Sequence, residues 1–85
     1  MNQDELRRAV VTVLGEIAPE VDFATLPGDA DLREEVGLDS MDVLNFVSGI
    51  HERTGVEIPE LDYEQLGSVD ACVAYLSRRV IPETQ

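Results

Sequence analysis

The residues with chemical capacity gather around VGLDSMD, Val36 to Asp42, where Ser40 stands between two acids, Asp39 and Asp42. A serine nucleophile needs a base within hydrogen-bond reach, and the one histidine, His51, comes eleven residues later. At 1.5 Å of helix rise per residue the two lie roughly 16 Å apart, so they form no dyad. Gly37 is three residues before Ser40, with no matching glycine after it and no strand before it, which leaves out the nucleophile elbow of hydrolases. His51 reads as a solvated helix residue. Asp29 and Asp31 begin like a calcium loop, but Arg33 and Glu34 stand where that loop takes a ligand and a glycine. The single cysteine, Cys72, falls on an apolar helix face and reads as a small buried hydrophobe. Acids abound, yet no Trp, two Phe and two Tyr offer little apolar shielding to raise a carboxyl pKa for acid–base work. No catalytic residue and no metal ligand emerges, and the chain does not read as an enzyme.

What remains is a serine at the start of a helix. Backbone N–H groups and the positive end of the helix dipole favour an anion there, including a phosphodiester carried on Ser40 itself. The competing reading is that Ser40 is an ordinary helix-start residue. The helix that follows is marked by Val43, Phe46, Val47 and Ile50 at i, i+3, i+4 and i+7, the stripe that faces a core. Asp39 is its expected N-cap, Asp42 closes the capping box, and Gly55 marks the exit. Met41, Leu44 and Ser48 fall roughly 100–160° from the core stripe at 100° per residue, which leaves Met41 and Leu44 as apolar side chains on or near the exposed face.

Two further helices frame this one. Leu6, Val10, Val13, Leu14 and Ile17 repeat with helical period, Asn2 and Glu5 form a capping box, and Pro19 ends the run. Near the other end Val69, Cys72, Val73, Leu76 and Val80 share a face, Ser68 is the N-cap, and Arg78 and Arg79 complement the dipole at the C-terminus. Between Pro59 and Gly67 about one turn of helix is expected over Asp62 to Leu66, partly 3₁₀. Pro19 to Leu38 reads as a long crossing loop, pinned by Phe23, Leu26, Leu32, Val36 and Leu38. No segment alternates with period two. The expected fold is all-α: a small helical bundle of three main helices plus one short helix, with a long loop between helices one and two.

At 85 residues the chain forms one domain, 1–85, and with a single cysteine it has no disulfide framework. The composition of 44% apolar residues with clean periodicity sets it apart from disordered chains. Eighteen acids against six arginines and no lysine give a net charge of −12. Such a surface repels nucleic acids and anionic lipids and attracts basic protein patches. The acidic N-terminus is unlike a signal peptide, and no apolar run has the roughly 20 residues of a membrane helix. A soluble cytoplasmic monomer is expected, without nucleic-acid or membrane partners.

From Leu32 the chain reads L-x-x-x-x-G-x-D-S-M-D, continues through GVEIP fifteen residues after Ser40, and closes with S-V-x-x-x-V-x-Y-L. In this register it resembles the acyl carrier proteins over nearly its whole length. The resemblance implies that a phosphopantetheinyl transferase moves 4′-phosphopantetheine from coenzyme A onto Ser40. The arm's thiol then carries acyl groups as thioesters, so the protein needs neither a base nor a catalytic cysteine. It further implies that Asp39 caps the helix and presents Ser40, and that Met41, Asp42, Leu44 and Glu52 contact partners. Those partners are the transferase and acyl ligases, ketosynthases or acyltransferases with basic docking patches. Asn45, Ser48 and His51 occupy much of the helix face where many fatty acid synthase carriers have glutamates, so fatty acid, polyketide and related specialised pathways all stay open. The alternative is an unmodified adaptor of carrier fold that binds a basic protein.

Overall fold

The computed structural model describes residues 2–79. Four α-helices and one 3₁₀ helix follow in order: α1 Gln3–Ile17, α2 Leu32–Glu35, α3 Ser40–Thr54, the 3₁₀ helix Glu60–Leu66, and α4 Val69–Arg79. No strand occurs among the described residues. The all-α bundle expected from the sequence is therefore the fold observed.

Each long helix starts where side-chain chemistry can satisfy its orphan N–H groups. Asn2 Oδ1 accepts from Glu5 N at 2.8 Å, and Glu5 returns the bond by accepting from Asn2 N at 3.0 Å. Ser68 Oγ accepts from Ala71 N at 3.0 Å at the head of α4. At the far end of α3, Gly55 adopts φ 75° and ends the helix with a left-handed cap. Helix α1 is the central staff: Leu6, Val10, Val13 and Leu14 are each at most 2% exposed, and they pack against both α3 and α4. Each such side chain contributes roughly 1.5–3 kcal/mol through burial. The α4 stripe is buried through Val69, Cys72, Val73 and Leu76, and Tyr75 joins it; Val80 lies outside the described residues. On α3, Phe46 and Ile50 are buried, whereas Val43 and Val47 are half-buried, as is Ile17 on α1.

The segment expected as an unbroken loop carries a helix of its own. Asp31 Oδ1 accepts from Arg33 N and Glu34 N at 2.9 and 3.2 Å, which starts the single turn α2, and Leu32 is buried beneath it. A four-residue helix shows no period in sequence, so only its N-cap announces it. The loop is also stitched to the region just before and into α4: Leu32 N donates to Gly67 O and Asp70 N donates to Gly28 O, both at 2.9 Å. Phe23 and Leu32 reach the core, and Leu26, Val36 and Leu38 pack against it. The 3₁₀ helix begins at Glu60, two residues earlier than the turn expected from sequence.

Candidate functional site

Gly37 turns the chain between α2 and α3 with φ 80°, a conformation that favours glycine. Leu38 follows, half-buried, and Asp39 takes the extended N-cap conformation. Asp39 Oδ1 accepts from Asp42 N at 2.9 Å, and Asp42 Oδ2 accepts from Asp39 N at 3.2 Å. This reciprocal pair fixes the first turn of α3 and sets Ser40 as its first residue, exposed to solvent. The capping bonds leave the Ser40 and Met41 N–H groups open at the positive end of the helix. A group bonded to Ser40 Oγ emerges directly into solvent, and an anion there meets unpaired donors.

His51 is exposed in the last turn of α3, far down the helix from Ser40, and offers that hydroxyl no base. Cys72 is fully buried; burial pushes its thiol up to about 12, and its Sγ lies 3.7 Å from Leu66 O. Among the described residues no group of three or more His, Cys, Asp or Glu side chains could hold a metal ion.

The four residues assigned to partner contact divide between two faces. Met41 and Leu44 are 64% and 47% exposed. Asp42 and Glu52 instead line a shallow groove between α3 and α1, with Asn45, Ser48 and Glu16. The structure thus places an apolar patch next to Ser40 and an acidic groove on the flank toward α1.

Sequence reasoning missed a cavity of about 270 Å³ on the other flank. Leu38 and Val43, on either side of Ser40 in sequence, line it, together with Leu32, Phe46, Tyr63 and Leu66. Arg33 and Glu64, both exposed, border it. A gap between helices has no pattern of its own in sequence, so no signal there announced it. A third large exposed hydrophobic was also missed: Leu61, on the 3₁₀ helix, is 94% exposed. It belongs to no stripe, and only its place in a polar turn, ELDYEQL, sets it apart.

This site suits a phosphopantetheine arm. The Ser40 hydroxyl is exposed, the helix end favours a phosphate there, and Leu38 and Val43, two and three residues from it, line a recess whose wall also carries Asp31, Arg33 and Glu64. A family model described as a phosphopantetheine attachment site matches residues 4–76. An acyl carrier protein of Guillardia theta is 31% identical over 80 residues, covering 94% of this chain and 98% of its own. Acyl carrier proteins of Campylobacter hominis and Akkermansia muciniphila are 34% and 30% identical over 73 and 76 residues, covering 86% and 89% of this chain.

Proposed function

Because this chain belongs to the phosphopantetheine-attachment family of acyl carrier proteins, carriers rather than catalysts that bear a covalent 4′-phosphopantetheine group, we propose that Ser40 is its attachment point. The observation that carries this assignment is the exposed Ser40 hydroxyl at the first position of α3, held there by the Asp39–Asp42 capping pair. Asp39 is the positioning residue: its carboxylate fixes the helix start that presents Ser40. The arm supplies a thiol on which acyl groups ride as thioesters, chemistry that the buried Cys72 could not offer.

The protein delivers acyl intermediates of fatty acid, polyketide or related specialised biosynthesis in the cytoplasm, a reducing setting that suits a lone cysteine. Its partners are the transferase and acyl ligases, ketosynthases or acyltransferases with basic docking patches. Met41 and Leu44 supply apolar contact next to the arm, while Asp42 and Glu52 supply charge, giving fast, salt-sensitive encounters. The apolar part of the cargo enters the cavity between α3 and the 3₁₀ helix, which Leu38 and Val43 line.

Incubation with coenzyme A, Mg²⁺ and a broad-specificity phosphopantetheinyl transferase tests the attachment. Intact-mass spectrometry should show one phosphopantetheine on the wild type and none on Ser40→Ala. A folded wild-type protein that stays unmodified would favour the adaptor reading instead.

A further inference from the structure

The cavity lined by Leu38 and Val43 has one well-anchored wall and one weakly built wall. Val43 and Phe46 belong to α3, a fifteen-residue helix packed on α1. Tyr63, Glu64 and Leu66 belong to the 3₁₀ helix, seven residues long with no side-chain hydrogen bond at its N-cap. Hydrogen-bond geometry in a 3₁₀ helix is poor, and runs this long are uncommon, so side-chain contacts must hold it in place.

Leu66 is buried in the core and Tyr63 packs against it, and the polar contacts of the helix with α4 centre on one carboxylate. Tyr75 Oη donates to Asp62 Oδ2 at 2.6 Å, and an Arg79 guanidinium nitrogen donates to the same oxygen at 2.9 Å. Arg79 also lies over the Tyr75 ring, 4.9 Å from its centroid. Arg78 adds a weaker tie, donating to Gln65 at 3.3 Å. Asp62 immediately precedes Tyr63, so the residue held by α4 is the neighbour of a residue that walls the cavity.

We propose that Asp62, clasped by Tyr75 and Arg79, is a positioning residue that fixes the movable wall of the cavity and thereby limits the size of the acyl chain it accepts. The inference rests on the reading that cargo enters this cavity. An enclosed apolar cavity of about 150 Å³ holds benzene, and the recess here, about 270 Å³ and open to solvent, takes a chain of limited length with the clasp closed. Longer chains require the 3₁₀ helix to move away from α3, against the bonds on Asp62.

The test loads the protein with acetyl-, octanoyl- or tetradecanoyl-phosphopantetheine, using a broad-specificity transferase and the matching acyl-coenzyme A. Intact mass checks the loading first; failure there would overturn attachment at Ser40 and is distinct from any result on the clasp. In the wild type, octanoyl loading should raise the melting temperature above that of the acetyl form and shift the amide resonances of Phe46 and Tyr63. Tetradecanoyl loading should give no further gain. In Asp62→Asn and Tyr75→Phe, which keep side-chain volume while weakening the clasp, the tetradecanoyl form should gain over the octanoyl form. A purely structural role would lower all three loaded forms equally and leave the differences between cargoes as in the wild type; that result would overturn the proposal. Octanoyl loading that leaves Phe46 and Tyr63 unmoved would overturn both the cavity reading and the clasp.

Discussion

Leu44 and Ile50 lie on one helix, six residues apart, and replacing each by alanine should have different consequences. Ile50 is 0% exposed within the core cluster, and Leu44 is 47% exposed. Truncating a fully buried Ile to Ala costs about 2–5 kcal/mol, the removed transfer energy plus the cavity left behind. A domain of this length has a total stability of about 4–13 kcal/mol, so Ile50→Ala removes a large share of it. At about 4–8 °C per kcal/mol, its melting temperature should fall by roughly 10–40 °C. Leu44 already has about half its surface in water. Full burial of a leucine is worth roughly 1.5–3 kcal/mol, so its truncation loses about 1 kcal/mol and under about 8 °C. Circular dichroism melts of both variants read the difference. Leu44→Ala should then melt near the wild type yet slow loading by the cognate ligase or ketosynthase. If it melts as early as Ile50→Ala, Leu44 is a core residue and the proposed docking patch reduces to Met41.

Cys72 should resist iodoacetamide in the folded apo protein at pH 8, because a thiol raised to about 12 holds a thiolate fraction of only about 10⁻⁴ there. The modified protein should take one label, on the arm, and rapid labelling of Cys72 without denaturant would contradict its burial. Alkaline pH should destabilise the fold: Cys72 is raised from an ordinary value of 9.0 by burial, and Tyr75 is raised from 10.0 by burial and its bond to Asp62. Stability from such raised groups is full below their unfolded values and is lost as pH climbs through the folded ones, so melting temperature should hold to about pH 8 and then fall; a constant value up to pH 11 would refute this. A Cβ at Gly49 would lie 2.7 Å from Val13 Cγ1, so Gly49→Ala should lose up to about 2 kcal/mol, overpacking outweighing better helix propensity. Gly15 meets nothing within 4 Å, and Gly15→Ala should gain about 1 kcal/mol in urea titrations; the reverse order would refute the close α1–α3 approach.

The parts of the fold legible in sequence were those written in local chemistry. The Asn2–Glu5 and Asp39–Asp42 boxes and the Ser68 cap each join residues three apart, so spacing alone identifies them. The α1 stripe was legible because its buried side chains recur with the helix period. Ser40 was singled out by the company it keeps in the motif, with its exposure at the start of α3 seen only in the structure. The illegible parts depend on long-range pairings. Helix α2 owes its place to Leu32, whose N–H reaches Gly67. The clasp joins Asp62 to Tyr75 and Arg79 across a helix boundary, and no periodicity links a 3₁₀ turn to the helix after it. Asp42 and Glu52 were assigned to partner contact without the α1 groove that gathers them, because only packing decides which flank of α3 meets Glu16.

The stitches from Gly28 to Asp70 and from Leu32 to Gly67 have a consequence for the order of folding. The segment that leads into Ser40 is tied down by backbone bonds to residues near the opposite end of the chain. Closing so distant a contact costs loop entropy before it returns any gain, so these bonds form after the local helix turns and caps. A chain emerging during synthesis therefore exposes Ser40 well before its lead-in is anchored. The first turn of α3 is capped locally by Asp39 and Asp42, but the segment before it is anchored only when the region leading into α4 docks, so a transferase acting on the proposed Ser40 site and reading that lead-in would modify finished domains in preference to nascent ones.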